Sequence, residues 1–118
     1  MSKIQLDHIF ALSQFIVSHQ EDHFPFRTAY KITKLINEMQ PDVDFFKEKY
    51  TEINSQYMVD GKVPDDKFHE YQSKIEELLA IEVDLPKTRF TQEELEQLEL
   101  DLNEIKVLFP LIEETEGN

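Results

Sequence analysis

Apolar side chains recur every three or four residues along the middle of this chain, through a stretch that contains a proline. The steps of four and three alternate without loss of phase, through Ile32, Ile36, Met39, Val43, Phe46, Tyr50, Ile53 and Tyr57. That spacing is typical of one face of a helix. Pro41 lies within it, and an interior proline costs a helix about 3 kcal/mol. Because a loop at Pro41 would have no reason to preserve the phase, we predict one long, kinked helix; two helices that meet at Pro41 are the alternative.

Turn signals after this helix predict a helical hairpin. Asp60-Gly61 is the strongest short turn signal in the chain, and Pro64 is typical of the first turn of a further helix. The second helix carries apolar residues on one stripe: Phe68, Tyr71, Ile75, Leu78 and Leu79. We therefore expect two antiparallel helices over residues 25–81, joined by a tip near residues 58–64.

The segment before the hairpin, residues 1–24, predicts an N-terminal helix. Asp7 is a favourable N-cap residue for it. Apolar residues at helical spacing then define its buried face: Ile9, Leu12, Phe15 and Ile16.

The segment after the hairpin, residues 82–114, predicts an extended stretch and short helices. "IEVDL" at 81–85 alternates apolar and acidic residues, which is the period of a strand and leaves room for a minor two-stranded β element. "TQEE" at 91–94 matches a capping box and predicts a short helix to about Leu98. "DLNE" at 101–104 predicts a last helix with these apolar residues: Ile105, Leu108, Phe109 and Ile112.

These elements predict a single domain of mainly α class over residues 1–118. A chain of 118 residues is long enough for one core of its own and too short for two ordinary domains. We expect residues 115–118 to be a frayed tail.

The composition excludes several classes of protein and site. The chain has no cysteine, which excludes disulfides and thiolate metal sites. It has no apolar run near the roughly 20 residues that a membrane span requires. The start "MSKIQLDH" lacks the basic and apolar regions of a secretory signal. We therefore expect a soluble cytoplasmic protein that does not bind membranes.

The charge is strongly acidic and unevenly distributed. The net charge is −13, which argues against direct binding to nucleic-acid phosphates. Residues 1–40 balance to zero, residues 41–80 sum to −5, and residues 81–118 sum to −8. The acidic part is either a pairing surface or a means of staying in solution.

The sequence predicts neither an active site nor a metal site. His19 and His23 are four residues apart, as two ligands on one helix face would be, but they lie where the helix should end and lack a third ligand. Asp42 and Asp44 do not belong to a calcium-loop pattern. There is no glycine-rich phosphate loop and no nucleophile motif. We therefore expect no enzyme, no cofactor and no bound metal.

A basic stripe stands out in this acidic chain. Arg27, Lys31 and Lys34 fall at i, i+4 and i+7 of the long helix. The stripe is either a solvent-exposed face or a partner for acidic residues of the same chain or of another copy. We name these three residues as candidate partner-binding residues.

Neighbouring aromatic residues supply a second candidate surface. Phe45 points away from the main stripe that contains Phe46 and Tyr50, so the helix has more aromatic surface than one face can bury. Exposed aromatic patches mark interaction sites. Packing of Phe45 against the N-terminal helix is the alternative. We name Phe45, Phe46 and Tyr50 as candidate partner-binding residues.

The order of these features resembles a group of small proteins of unknown function encoded by tailed bacteriophages of Gram-positive hosts. Five stretches carry the resemblance over nearly the whole chain: "FPFRTAYKITKLINEM", "DVDFFKEKYTEI", "DGKVPDDKFHEY", "IEELLAIEVDL" and "LNEIKVLFPLIEE". The group has no established active site to transfer. The resemblance implies a phage or prophage origin, a location in the host cytoplasm, and a role in binding.

Two functional hypotheses follow. The first is a non-enzymatic accessory or assembly protein that binds a protein partner through the hairpin and self-associates, because a second copy would cover an apolar face that one chain leaves open. The second is an acidic anti-defence inhibitor, or DNA mimic, that blocks a host DNA-binding protein.

Overall fold

The structure is mainly helical and contains one small sheet. The computed structural model describes residues 2–113 of the chain. Its elements, in chain order, are β1 (Lys3–Gln5), α1 (Leu6–Ser18), α2 (Phe26–Tyr57), α3 (Asp65–Leu79), β2 (Glu82–Asp84), α4 (Gln92–Glu96), α5 (Leu102–Leu108) and a single 3₁₀ turn (Phe109–Leu111). The predicted architecture of a long hairpin with an N-terminal helix and short C-terminal helices is confirmed.

The long helix α2 is continuous through Pro41, as the phase of its apolar residues predicted. Leu35, Met39 and Phe46 are buried on both sides of the proline. Pro41 and Asn37 are exposed, so water can bond to the Asn37 carbonyl, which the proline leaves without a backbone donor. Burial of the apolar stripe therefore stabilises the continuous helix by more than the proline destabilises it.

The hairpin tip is a two-residue turn. Asp60 has φ 53° and Gly61 has φ 80°, and two positive φ values are the geometry that Asp-Gly favours in a tight hairpin. Val59 N donates to Lys62 O over 2.7 Å, and Lys62 N donates back over 3.1 Å. The predicted tip is confirmed.

Helix α3 returns antiparallel along α2. The Tyr71 hydroxyl donates to Asn54 Oδ1 over 2.7 Å, and the rings of Tyr57 and Tyr71 lie 5.9 Å apart. Leu78 is buried, but Phe68, which we predicted on the buried stripe, is 52% exposed. The reason is the shortness of α1: its 13 residues span about 20 Å and do not reach this end of the hairpin.

The two-stranded β element predicted as a minor feature is present. β1 and β2 pair antiparallel, with Ile4 opposite Val83, and Leu6 N donates to Ile81 O over 2.7 Å. The sequence indicated the strand at Glu82–Asp84 but not its partner, because residues 1–24 were assigned to a helix. The pairing connects the start of the chain to the end of the hairpin.

The first helix begins two residues earlier than an N-cap at Asp7 predicts. Gln5 occupies the N-cap position, and Asp7 lies in the first turn rather than at the cap. The buried face is the predicted one, with Ile9, Leu12 and Phe15 turned towards α2.

The capping box predicted at residues 91–94 forms, and the start predicted for the last helix at residues 101–104 is also a capping box. Thr91 and Glu94 exchange backbone and side-chain bonds at α4, and Asp101 and Glu104 do so at α5. Helix α4 ends at Glu96, two residues before the predicted end.

The apolar face at the end of the chain differs from the prediction. Phe109 is 71% exposed and Ile105 is also exposed, whereas Leu108 and Leu111 are buried. The chain tightens into a 3₁₀ turn at Phe109, and three residues per turn place positions 108 and 111 on one side. The predicted frayed tail at 115–118 lies outside the described residues.

The segment that follows β2 is attached to α2 by the Glu38 carboxylate. Glu38 accepts hydrogen bonds from Lys87 N at 2.8 Å, from Thr88 N at 3.1 Å and from the Thr88 hydroxyl at 2.5 Å. Burial alone would raise the pKa of Glu38, but these bonds hold it below the usual value. Phe90 then enters the core beside Leu111.

Among residues 2–113, we find no helix with the length and apolar character needed to cross a bilayer.

Candidate protein-binding surfaces

An apolar groove with a volume of about 630 Å³ opens among α1, α2 and α3. We call it the aromatic groove; its apolar walls are Phe10, Phe46, Tyr50, Ile75 and Leu79. The rings of Phe10 and Phe46 lie 4.9 Å apart, and those of Phe46 and Tyr50 lie 5.7 Å apart. Three aromatic rings thus form one continuous wall.

The groove exists because the helices have unequal lengths. Phe46 is buried against α1, whereas Tyr50, one turn further along α2, is 39% exposed. Helix α1 begins near this level, with Asp7 of its first turn also lining the groove. The apolar stripe of α2 continues beyond the part that α1 covers, so the remaining aromatic surface faces solvent.

Tyr50 lies beside Tyr71 of α3. Burial raises the pKa of Tyr71, and the neighbouring Tyr50 hydroxyl raises it further. The Tyr71 hydroxyl donates its hydrogen to Asn54 Oδ1.

A second, shallower surface lies between α2 and α3 and shares no lining residue with the aromatic groove. We call it the hairpin face; it is lined by apolar Phe45, Ile53, Leu78 and Ile81 and by charged Lys49, Glu52, Lys74 and Glu77. Phe45 is 40% exposed, and Lys49 Nζ lies 5.7 Å from the centre of its ring. Phe45 lines the hairpin face beside α3, whereas the α2 aromatic in ring contact with α1 is Phe46.

The basic stripe is partly paired within the chain. Lys31 Nζ donates to Glu94 Oε1 over 2.7 Å, which is the intramolecular pairing with the acidic C-terminal part that the sequence left open. Lys34 Nζ lies 5.8 Å from the centre of the Tyr30 ring, and Arg27 is exposed. The stripe therefore helps to attach α4 to α2 through Lys31.

Glu94 is the buried member of that pair. Burial would raise its pKa, but the bond from Lys31 and the backbone bond from Thr91 hold the pKa of Glu94 below its usual value. Because Glu94 also closes the capping box of α4, the ion pair and the cap are one structure.

His19 joins the end of α1 to α5. Its Nδ1 lies 2.5 Å from Asp22 Oδ2, and its Nε2 lies 2.5 Å from Glu104 Oε2. Only the protonated imidazolium can donate from both nitrogens. The bond with Asp22, followed by the bond with Glu104, raises the pKa of His19. His19 acts here as a structural cation between two carboxylates.

The structure shows how the side chains that could ligate a metal are arranged. Between Ser2 and Glu113, no group of three or more His, Asp or Glu side chains is arranged to hold a metal ion. Burial, and next the charge of Asp84, raise the pKa of Asp42. Asp44 accepts a hydrogen bond from Gln40 Nε2 over 2.8 Å.

The tertiary structure adds groove residues that the sequence did not single out. Phe10, Ile75 and Leu79 meet Phe46 and Tyr50 in the aromatic groove. Ile75 and Leu79 lie on a predicted apolar stripe, but periodicity cannot show which end of a stripe stays uncovered. Comparisons with protein-family models, with curated proteins and with solved structures find no match to this chain. The phage origin that the resemblance implies stays a prediction.

Proposed function

We propose that this protein is a non-enzymatic binding protein that holds the apolar face of a partner's basic, amphipathic helix in the aromatic groove. The observation that carries the proposal is the groove itself, with a volume of about 630 Å³ and a wall of three aromatic rings, of which Phe10 and Tyr50 are exposed. In a phage setting, this activity would be that of an accessory or assembly factor.

The shape and chemistry of the groove support a helical partner. Grooves walled by apolar residues of neighbouring helices take up amphipathic helices, whose side chains at i, i+3, i+4 and i+7 fill them. Aromatic residues such as Phe10, Phe46 and Tyr50 supply large contact areas with few rotatable bonds. The walls stand on α1, α2 and α3, so the site is largely formed before the partner binds.

The charge supports a basic partner. The chain carries −13, and such a field speeds the approach of a basic segment and slows that of an acidic one. The groove provides the apolar contact, and the net negative charge of the chain favours a basic polar face on the bound helix.

The alternative of DNA mimicry stays a prediction. It requires carboxylates in continuous rows, whereas lysines stand between glutamates on the hairpin face and Lys31 pairs with Glu94. These contacts favour protein binding as the first function to test.

The test is a selection from a displayed library of helix-forming peptides, followed by fluorescence-polarisation titration of the selected peptides. We expect apolar residues at helical spacing and Lys or Arg elsewhere. Phe10→Ala and Tyr50→Ala should each weaken binding about tenfold, the effect of a central aromatic contact. Phe109→Ala, which removes an exposed ring outside the groove, should leave binding unchanged.

Three results would overturn the proposal. The first is equal binding of the selected peptides to the Tyr50→Ala protein, and the second is a selection that yields only acidic peptides. The third is a second copy of this chain as the occupant of the groove.

A further inference from the structure

Lysines and glutamates alternate on the hairpin face, both along each helix and from one helix to the other. Each helix contributes a lysine and, three residues later, a glutamate: Lys49 and Glu52 on α2, Lys74 and Glu77 on α3. Helices α2 and α3 run antiparallel, and the bond from Tyr71 to Asn54 sets their register. In this register Lys74 lies near the level of Glu52, and Glu77 lies near the level of Lys49. The four charges form a checkerboard with no net charge, in a chain that carries −13.

A checkerboard of this kind is complementary to itself. In a two-fold dimer, the same patch of both copies meets face to face. With the axis along the helices, Lys49 lies over the partner's Glu77 and Lys74 over the partner's Glu52. With the axis across the helices, Lys49 meets the partner's Glu52 and Lys74 meets the partner's Glu77. Either axis pairs every charge with its opposite.

The floor of the face is apolar and partly uncovered. Phe45 and Ile81 are 40% and 38% exposed, and they line this surface together with the four charges. The bond between Lys49 and Glu52 is long, 3.5 Å, and exposed, so the two side chains can exchange partners at little cost. A surface that combines exposed apolar side chains with balanced charges is where two acidic chains can approach each other.

We propose that the hairpin face is the interface of a two-fold symmetric dimer of this chain. This goes beyond the proposed function, because the face shares no lining residue with the aromatic groove. The aromatic groove of each copy stays open in the dimer, so the dimer presents two aromatic grooves.

Complementary charge reversal tests the interface. One variant carries Lys49→Glu and Lys74→Glu, and the other carries Glu52→Lys and Glu77→Lys; mass is measured by light scattering at physiological salt, where charges beyond about 8 Å are screened. We expect the wild type to run at twice the chain mass, each variant at the chain mass, and their equimolar mixture at twice the chain mass. Restoration on mixing requires folded proteins and specific contacts.

Two further variants complete the design. The control variant Lys87→Glu with Lys106→Glu changes the net charge by the same amount as Lys49→Glu with Lys74→Glu, but at exposed positions outside the face. It should remain dimeric. Phe45→Asp places a charge on the apolar floor and should give a monomer with unchanged helical circular dichroism.

A wild type that stays monomeric, two charge variants that remain dimeric, or a mixture that does not associate would each overturn the dimer. None of these outcomes affects peptide binding in the aromatic groove. Conversely, loss of peptide binding in Tyr50→Ala with an intact dimer leaves this interface standing, so the two proposals fail separately.

Discussion

At the scale of the residue, His19 makes stability depend on pH. Its hydrogen bonds to Asp22 and Glu104 raise its pKa above the unfolded value, which is about 6.5. The stabilisation is therefore complete below about pH 6.5 and is lost as the pH rises through the folded pKa. We expect the melting temperature, followed by circular dichroism, to fall as the pH rises from about 6 to about 9.

The matched variants separate His19 from the other histidines. His19→Gln should flatten this part of the pH profile, and His69→Gln, at an exposed position on α3, should preserve it. A wild-type profile that rises across the same range would show that the imidazolium is not held as the geometry indicates.

At the scale of the element, Pro41 tests the continuity of α2. The proline removes a backbone bond in the interior of the helix, and Pro41 itself and Asn37, whose carbonyl it leaves unbonded, are exposed. Alanine at this position therefore adds a bond without disturbing the core. Pro41→Ala should raise the free energy of unfolding in urea by up to about 3 kcal/mol. Glu48→Ala, an exposed change on the same helix, should alter it by about 0.5 kcal/mol or less. A destabilised Pro41→Ala protein would mean that the proline is required for the helix geometry.

At the scale of the whole molecule, shape and charge are linked. The 32 residues of α2 span about 48 Å, which accounts for most of the 55 Å long dimension. An elongated surface with a net charge of −13 repels itself, and salt screens that repulsion. Raising sodium chloride from low to physiological concentration should therefore raise the melting temperature.

Sodium chloride is the appropriate salt because sulfate also strengthens apolar burial. A melting temperature that falls with added chloride would show that local pairs such as Lys31–Glu94 outweigh the overall repulsion.

Features that depend on a few neighbouring residues were predictable. The turn at Asp60-Gly61, the two capping boxes and the helix through Pro41 each follow from backbone preferences or from one period of apolar side chains. The strand at Lys3–Gln5 was not predicted because three residues carry little period of their own. Its pairing depends on the end of the hairpin, about 80 residues away in the chain.

The candidate surfaces, too, were only partly predictable from the sequence. The sequence alone determined that α2 has more aromatic surface than one neighbour can cover, because Phe45, Phe46 and Tyr50 cannot all share one helix face. Only the tertiary structure decided that Phe46 packs against α1, that Tyr50 lines a groove, and that Phe45 lies among four alternating charges. The physical reason is range: periodicity records which side of a helix is apolar, whereas the lengths and positions of the packed helices decide where that side remains exposed.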